Sequence, residues 1–203
     1  MRNIVLMLGF AKSLEEARML QKFMAVFLSL FLALSNAVRA EANNISDAIT
    51  AIGANVIFMR HALAPGFGDP VNFDIADCTS QRNLDNNGVE QAISIGKSLK
   101  MSGAKFNTVF TSEWCRCQQT AVLLNIGKPI VFGGLNSFFQ QHAPREKTLQ
   151  QLNDKLSEFK LGELNVLVTH QVTIQAVTGL NVSSGGMVAF NTVTKQALVI
   201  SEN

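Results

Sequence analysis

The chain has 203 residues, which is enough for one domain with a substantial core and too few for two domains of ordinary size. Apolar residues make up 47% of the sequence and charged residues 16%, which excludes a disordered chain, a collagen-like repeat and a polyelectrolyte tail. The formal net charge is +2, but five of the 17 basic residues and two of the 15 acidic residues precede residue 41. The remainder is nearly neutral and its basic residues are scattered, which argues against a nucleic-acid-binding protein.

The beginning of the chain has the pattern of a secretory signal. Phe23–Leu34 is an apolar run interrupted by one serine, and it is shorter than the roughly twenty residues that a membrane-spanning helix needs. Lys22 precedes this run, and the small residues Val38 and Ala40 follow at positions that a signal peptidase reads. We therefore expect export to the periplasm or the medium.

This interpretation sets the domain boundaries. Residues 1–40 are predicted to be a signal peptide, and residues 41–203 a single domain with no membrane span in the mature form. Because a signal of ordinary length would begin later than residue 1, translation could start at Met19 or Met24.

Three cysteines follow the predicted signal. In an oxidising compartment Cys78, Cys115 and Cys117 could form one disulfide and leave one free thiol. A bridge between Cys115 and Cys117 would be strained, so we favour Cys78 paired with either of them, with three unpaired cysteines as the alternative. A zinc site is not expected, because such sites need four ligands at recurrent spacing.

Four short apolar runs, each rich in branched or aromatic residues, are predicted to be buried strands. They are Asn55–Met59, Asn107–Phe110, Pro129–Phe132 and Asn165–Val168. Between them, apolar residues recur at helical spacing from Val89 to Leu99, with Asp85 placed as N-cap and Gly103 at the end. A second helical stripe runs from Leu149 to Phe159, and Thr173–Val177 suggests a short helix.

Strands and helices thus alternate along the chain. This pattern is typical of a three-layer α/β/α sandwich with a mainly parallel central sheet. The segments Met187–Thr192 and Gln196–Ser201 are predicted to add a hairpin or paired edge strands.

Cationic and imidazole side chains follow three of the predicted strands. Arg60 and His61 follow the first, Arg116 lies shortly after the second, and His170 follows the fourth. Because the carboxyl ends of parallel strands share one edge of a sheet, we expect these four side chains to converge. Arginines bind phosphoryl oxygens in bidentate geometry, and a neutral histidine can attack phosphorus. We also expect the helix opened by Ser112 to direct its free N–H groups at the same anion.

Four segments, in this order, resemble the histidine phosphatase superfamily, which includes phosphoglycerate mutase-like proteins. They are Phe58–Ala62, Asn83–Ala92, Thr111–Ala121 and Val168–His170. The resemblance implies that His61 accepts the phosphoryl group, that Arg60 and Arg116 hold the phosphate, and that His170 hydrogen-bonds the transferring group. It also implies a phosphomonoester substrate and no metal or cofactor.

The chain is also similar to the exported bacterial branch that contains lipopolysaccharide core heptose phosphate phosphatases. This similarity implies an envelope sugar phosphate as the substrate. Ser112 and Arg82 are further candidates for binding the phosphate or the substrate, although Arg82 could equally be a surface cation at the entrance of its helix. Trp114 could stack on a sugar, but a core position is the favoured interpretation.

The sequence departs from the family pattern where the proton donor is expected. Ser137 stands where many members have a glutamate, and Gln171 stands where another branch has an acid. His142, Glu146 and Asp69 are candidates to replace it, with His142 favoured. Without an acid, hydrolysis would be limited to good leaving groups. The alternative function is a phosphate-binding or sensory module that keeps the Arg/His site without turnover.

Overall fold

The computed structural model describes residues 41–42 and 44–201, with side chains from residue 44 onward. The predicted signal peptide and the candidate starts at Met19 and Met24 lie outside the described residues. Within the described part, no helix has both the length and the apolar character needed to cross a bilayer.

Within this part of the chain, seven strands form one mixed sheet in the order β1-β7-β6-β2-β5-β3-β4. They are β1 (Glu41–Ala42), β2 (Val56–Arg60), β3 (Phe106–Thr111), β4 (Pro129–Val131), β5 (Leu164–Thr169), β6 (Met187–Phe190) and β7 (Ala197–Ile200). The strands β2, β5, β3 and β4 are parallel neighbours, while β6 is antiparallel to β2 and β7. The predicted mainly parallel sheet with a C-terminal hairpin is confirmed.

Five α-helices cover the two faces of the sheet within the same residues. They are α1 (Ile45–Ile52), α2 (Asn86–Met101), α3 (Cys115–Leu124), α4 (Arg145–Glu158) and α5 (Gln171–Thr178). Side chains of β2 alternate between the faces, so Ile57 and Met59 pack in one apolar cluster with residues of α1, α2 and α3. Phe58 packs in the opposite cluster with residues of α4 and α5. The expected three layers are therefore present.

The predicted ends of α2 are confirmed. The Asp85 side chain caps the helix by accepting a hydrogen bond from the Gly88 N–H at 2.8 Å. Gly103, with φ of +73°, takes the chain away from the helix in a conformation that favours glycine.

Two predictions of local structure were wrong. Pro129–Phe132 was expected to be a buried strand, but Ile130 and Val131 in β4 are each 50% exposed because this strand lies at the edge of the sheet. The helix expected to open at Ser112 begins at Cys115 with Trp114 as N-cap. The short strand β1 and the helix α1, which is capped by Asn44, were not predicted.

A disulfide joins Cys78 to Cys115, and Cys117 is free and buried. The expectation that Cys78 would pair is confirmed, with Cys115 as its partner. The bridge ties the long loop between β2 and α2 to the first residue of α3.

Candidate active site

The register of two central strands brings the two predicted histidines together. Arg60 in β2 pairs with Thr169 in β5, so His61 and His170 follow at the same level on neighbouring strands. The His61 N–H donates to the Thr169 carbonyl at 3.0 Å. The two rings meet edge to face with centroids 5.4 Å apart.

The hydrogen bonds of His61 fix the nitrogen that is free to react. Its Nδ1 lies 2.8 Å from the Ala62 carbonyl oxygen, which can only accept, so Nδ1 carries the proton. Its Nε2 accepts a hydrogen bond from Arg116 Nε at 3.2 Å and therefore holds the lone pair. Burial and then the charge of Arg116 lower the pKa of His61 to about 3. At neutral pH, His61 is an uncharged imidazole with its lone pair at Nε2.

The partners of Ser112 fix the tautomer of His170. Asn136 Oδ1 accepts from the Glu113 N–H at 3.0 Å and from the Ser112 hydroxyl at 3.1 Å. Having donated its one proton, the Ser112 oxygen accepts from His170 Nε2, which lies 3.0 Å away. The proton of His170 is thus on Nε2 and its lone pair on Nδ1. Burial and then the adjacent His61 hold the pKa of His170 well below its ordinary value.

Arg116 is held by a carboxylate that the sequence suggested only as a candidate acid. Its Nη1 and Nη2 donate to Asp69 Oδ1 and Oδ2 at 2.6 and 3.0 Å, and both side chains are almost fully buried. The Trp114 indole N–H also donates to Asp69 Oδ2 at 3.0 Å. Burial raises the pKa of Asp69, but hydrogen bonds and charge from Arg116 outweigh it, so the pKa lies below its ordinary value. Asp69 is therefore an ionised partner of Arg116 and a poor proton donor.

Within the described part of the chain, the side chains of Arg60 and Arg82 have no carboxylate partner and can offer N–H groups to a ligand more readily than Arg116 can. Arg60 donates from Nη1 to the Val182 carbonyl at 3.1 Å, and its buried Nε has no hydrogen-bond partner among the described residues. Arg82 donates to the carbonyl oxygens of Gly68 and Ala64. Burial and then the charge of Arg116 lower the pKa of both groups, which a bound dianion would offset.

These side chains surround one cavity of about 230 Å³. Arg60, His61, Arg82, Arg116 and His170, all predicted from the sequence, lie on its wall. The wall is completed by Gly66, Phe67, Gly68, Asp69, Ser137, Phe139, Gln171 and Val172. Ser112 lies behind His170 and positions it, rather than forming part of the wall.

Two of the N–H groups at the beginning of α3, which the sequence led us to expect free for an anion, are bonded to protein groups. The Trp114 N–H donates to Ser112 Oγ at 3.3 Å, and the Cys115 N–H donates to Gln81 Oε1 at 3.0 Å. Trp114 is 1% exposed and packs between Phe73 and His170. It is a core residue, as favoured above, and no surface for a sugar.

The structure places the favoured acid candidates away from the cavity. The ring of His142 packs against Phe73 in a tilted arrangement with centroids 4.4 Å apart, and against the edge of Trp114 with centroids 6.5 Å apart. Glu146 is exposed in the first turn of α4. Neither residue lines the cavity. The expectation of a proton donor at His142 or Glu146 is therefore not met.

The two positions where the family pattern has an acid do line the cavity without supplying one. The Ser137 hydroxyl oxygen accepts from the Phe139 N–H at 3.3 Å. The Gln171 amide donates to Asn181 Oδ1 and accepts from the Val182 N–H, so it holds the loop that also binds Arg60. Among residues 44–201, Asp69 is the carboxyl group on the cavity wall.

The chemistry of this donor set suits an anion. Within the described residues, no group of three or more His, Cys, Asp or Glu side chains could hold a metal ion. Three guanidinium groups and two imidazoles instead present N–H donors and lone pairs suited to a phosphoryl group.

No protein-family model matches this chain, and no curated protein sequence matches it. Solved structures do. A mycobacterial glucosyl-3-phosphoglycerate phosphatase in complex with VO3 is 14% identical with a TM-score of 0.53, over 74% of this chain and 98% of that one. A phosphoserine phosphatase from Entamoeba histolytica bound to 3-phosphoglyceric acid is also 14% identical, with a TM-score of 0.51, over 73% and 95% of the two chains. A histidine-to-alanine variant of a phosphoserine phosphatase from the same organism, with phosphoserine bound, is 16% identical with a TM-score of 0.52, over 72% and 94%.

At this level of identity the likeness concerns the backbone. The chain therefore has the fold of the histidine phosphatases.

Proposed function

We propose that this protein is a phosphatase that hydrolyses a phosphomonoester through a phosphohistidine formed on His61. The observation that carries the proposal is the state of His61. It is a buried, uncharged imidazole whose Nε2 lone pair is held in a cavity lined by three arginines. Such a group can attack phosphorus at neutral pH, while the surrounding cations offset the charge on the phosphoryl oxygens.

The reaction would proceed in two transfers. In the first, the Nε2 lone pair forms a bond to phosphorus, and the bond from phosphorus to the ester oxygen breaks with its electron pair on that oxygen. In the second, a water oxygen attacks phosphorus, the electron pair of the P–N bond returns to Nε2, and the water proton passes to solvent or phosphate. The Nδ1–H bond to Ala62 holds the ring in the reactive tautomer throughout. His170, whose lone pair is on Nδ1, can accept a hydrogen bond from a protonated phosphate oxygen.

We further propose that the protein is exported, and envelope sugar phosphates are one candidate substrate class. The apolar run Phe23–Leu34 followed by small residues supports export, and so does the disulfide between Cys78 and Cys115, because disulfides persist in oxidising compartments. The sugar substrate rests on the sequence similarity to the heptose phosphate phosphatases and is the first natural class to assay.

A second candidate function is a phosphate-binding module without turnover. The absence of a protonated acid from the described cavity wall favours it. Both functions require phosphate to bind, but only the phosphatase requires His61 as a nucleophile.

The experiment is hydrolysis of acetyl phosphate and phenyl phosphate by the purified protein, compared with His61→Asn and with His142→Ala as a matched control. We expect turnover in the parent and the control, and loss of turnover in His61→Asn. Alkaline denaturation of the parent during turnover should trap one phosphoryl group on the protein, which mass spectrometry detects. Turnover that persists in His61→Asn would contradict the mechanism. No turnover in the parent, with inorganic phosphate still raising its melting temperature, would favour the binding module.

A further inference from the structure

Two phenylalanines stand at the open side of the cavity. Phe67 is 89% exposed and Phe139 is 37% exposed, yet both line the cavity and their rings meet edge to face with centroids 5.2 Å apart. Val172 is a further apolar residue that lines the cavity. A single exposed apolar side chain is common, but an aromatic pair that borders a cationic cavity is a surface suited to an apolar ligand.

The backbone that presents the two rings is held in an unusual conformation. Phe67 lies between Gly66 and Gly68, whose φ angles are +97° and +69°. Gln140, next to Phe139, has φ of +55°, and its side-chain Oε1 accepts a hydrogen bond from the Asp69 N–H at 2.9 Å. Left-handed backbone at a non-glycine residue is costly and is maintained where the surroundings require it. The aromatic pair is therefore a built feature of the cavity.

The polar side chains on the wall are already committed to other groups. Asp69 binds Arg116 and Trp114, and Gln171 binds the loop at Asn181 and Val182. Ser137 accepts from the Phe139 N–H and has one O–H left to offer. A sugar needs partners for several hydroxyl groups, and among the described uncharged side chains of this wall the Ser137 hydroxyl is the one with a free O–H.

The leaving oxygen receives no proton from a carboxylic acid on this wall. Asp69 is the carboxyl group that lines the cavity among residues 44–201, and both its oxygens accept hydrogen bonds from Arg116. The Ser137 hydroxyl is too weak an acid to protonate a departing alkoxide. A leaving group that departs as a stable anion is therefore required. Phenols meet this requirement, since their pKa is about 10, as in tyrosine, and aliphatic alcohols are far weaker acids.

We propose that this site prefers phosphomonoesters of aromatic alcohols to sugar phosphates, with the phosphate on the arginines and the aromatic ring packed against Phe67 and Phe139. This inference rests on the proposed phosphatase function and narrows it. His61 Nε2 bonds to phosphorus, the P–O bond to the aryl oxygen breaks, and the phenolate leaves with the electron pair and takes a proton from solvent. Water then releases phosphate as described above.

The experiment compares kcat/KM for four phosphate esters. Phenyl phosphate and 1-naphthyl phosphate have leaving groups of similar acidity but differ in apolar area. Hexyl phosphate is apolar with a poor leaving group, and a hexose 6-phosphate is polar with a poor leaving group. We expect 1-naphthyl phosphate to exceed phenyl phosphate by about tenfold, an effect of the size that aromatic contacts produce. Phenyl phosphate should exceed hexyl phosphate by about a hundredfold or more, because a general acid is worth that much when present.

Variants connect the preference to the two rings. Phe67→Ala and Phe139→Ala should each reduce the naphthyl-to-phenyl ratio towards one. Because the side chain of Phe67 is exposed, the first variant removes little packing, and a folding defect would not account for this change. Met101→Ala is the control, since Met101 is 79% exposed and does not line the cavity. Its ratio should match that of the parent.

The outcomes separate this inference from the proposed function. Suppose first that the esters are hydrolysed. If the hexose phosphate is then as good a substrate as phenyl phosphate, or if both phenylalanine variants keep the parent's naphthyl-to-phenyl ratio, the aromatic preference is wrong. The proposed phosphatase activity is then still supported. If neither the esters nor acetyl phosphate are hydrolysed, the proposed phosphatase activity is wrong. Calorimetric measurement of ligand affinity for the parent protein then tests the aromatic site. Binding of 1-naphthyl phosphate about tenfold tighter than inorganic phosphate would support the aromatic site, and equal affinity would refute it.

Discussion

Loss of the Cys78–Cys115 disulfide should destabilise the protein strongly. The bridge joins residues separated by 37 positions, and closing a loop of this length removes about 13 cal/mol/K of entropy from the unfolded chain. At 25 °C this corresponds to about 4 kcal/mol, a large share of the 5–15 kcal/mol that stabilises an ordinary domain. We expect the double variant Cys78→Ala/Cys115→Ala to lose about this free energy of unfolding.

Urea denaturation followed by tryptophan fluorescence measures the effect, since Trp114 lies in the core beside the bridge. With a slope of about 2 kcal/mol/M, the midpoint should fall by about 2 M in the double variant. Reduced parent protein should give the same midpoint, while reductant should leave the double variant unchanged. A shift below about 0.3 M in reduced parent, with alkylation confirming both thiols free, would refute the reasoning. The loop would then be held in place by its other contacts, such as the bond from Cys115 to Gln81.

Two further predictions concern charges in the cavity. The free energy of unfolding should fall as the pH is lowered from 6.5. In the unfolded chain His61 and His170 then take up protons, whereas in the folded state burial holds the pKa of His61 at about 3 and that of His170 well below its ordinary value. Each histidine should contribute about 1.4 kcal/mol per pH unit to this dependence, measured by urea titrations in phosphate-free buffer. His61→Asn should remove the contribution of His61. An unchanged pH dependence in that variant would contradict the lowered pKa of His61. Asp69→Asn should cost about 3 kcal/mol, because Arg116 keeps its charge while 3% exposed and loses its counter-ion. Inorganic phosphate should raise the melting temperature of Asp69→Asn more than that of the parent, and an equal or smaller rise would show that Asp69 does not compete for Arg116.

The sequence was sufficient for the parts of the site that depend on chain order and periodicity. Arg60, His61 and His170 could be placed because Arg60 ends β2, His61 and His170 directly follow β2 and β5, and parallel strands end at one edge of the sheet. Asp85 could be identified as a cap because capping acts over three residues. Both features depend on residues that are close in the sequence or that lie at the ends of parallel strands.

Features that depend on contacts between distant loops could not be predicted. The pairing of Asp69 with Arg116 joins positions 47 residues apart, and the contact of Phe67 with Phe139 joins two loops separated by several secondary structure elements. The exposure of β4 depends on strand order, which its apolar sequence does not encode. The position of His142 outside the cavity wall could not be predicted for the same reason, because its ring contacts Phe73 from another loop.

The position of β2 in the sheet determines when the site can be assembled. This strand carries Arg60 and leads into His61, and it pairs with β5 about 110 residues later and with β6 later still. Both neighbours lie in the last quarter of the chain, and closing such long loops is slow compared with forming helices. A growing chain therefore carries His61 next to an unpaired strand for about half of its synthesis, and the arginine-lined cavity forms among the last steps of folding.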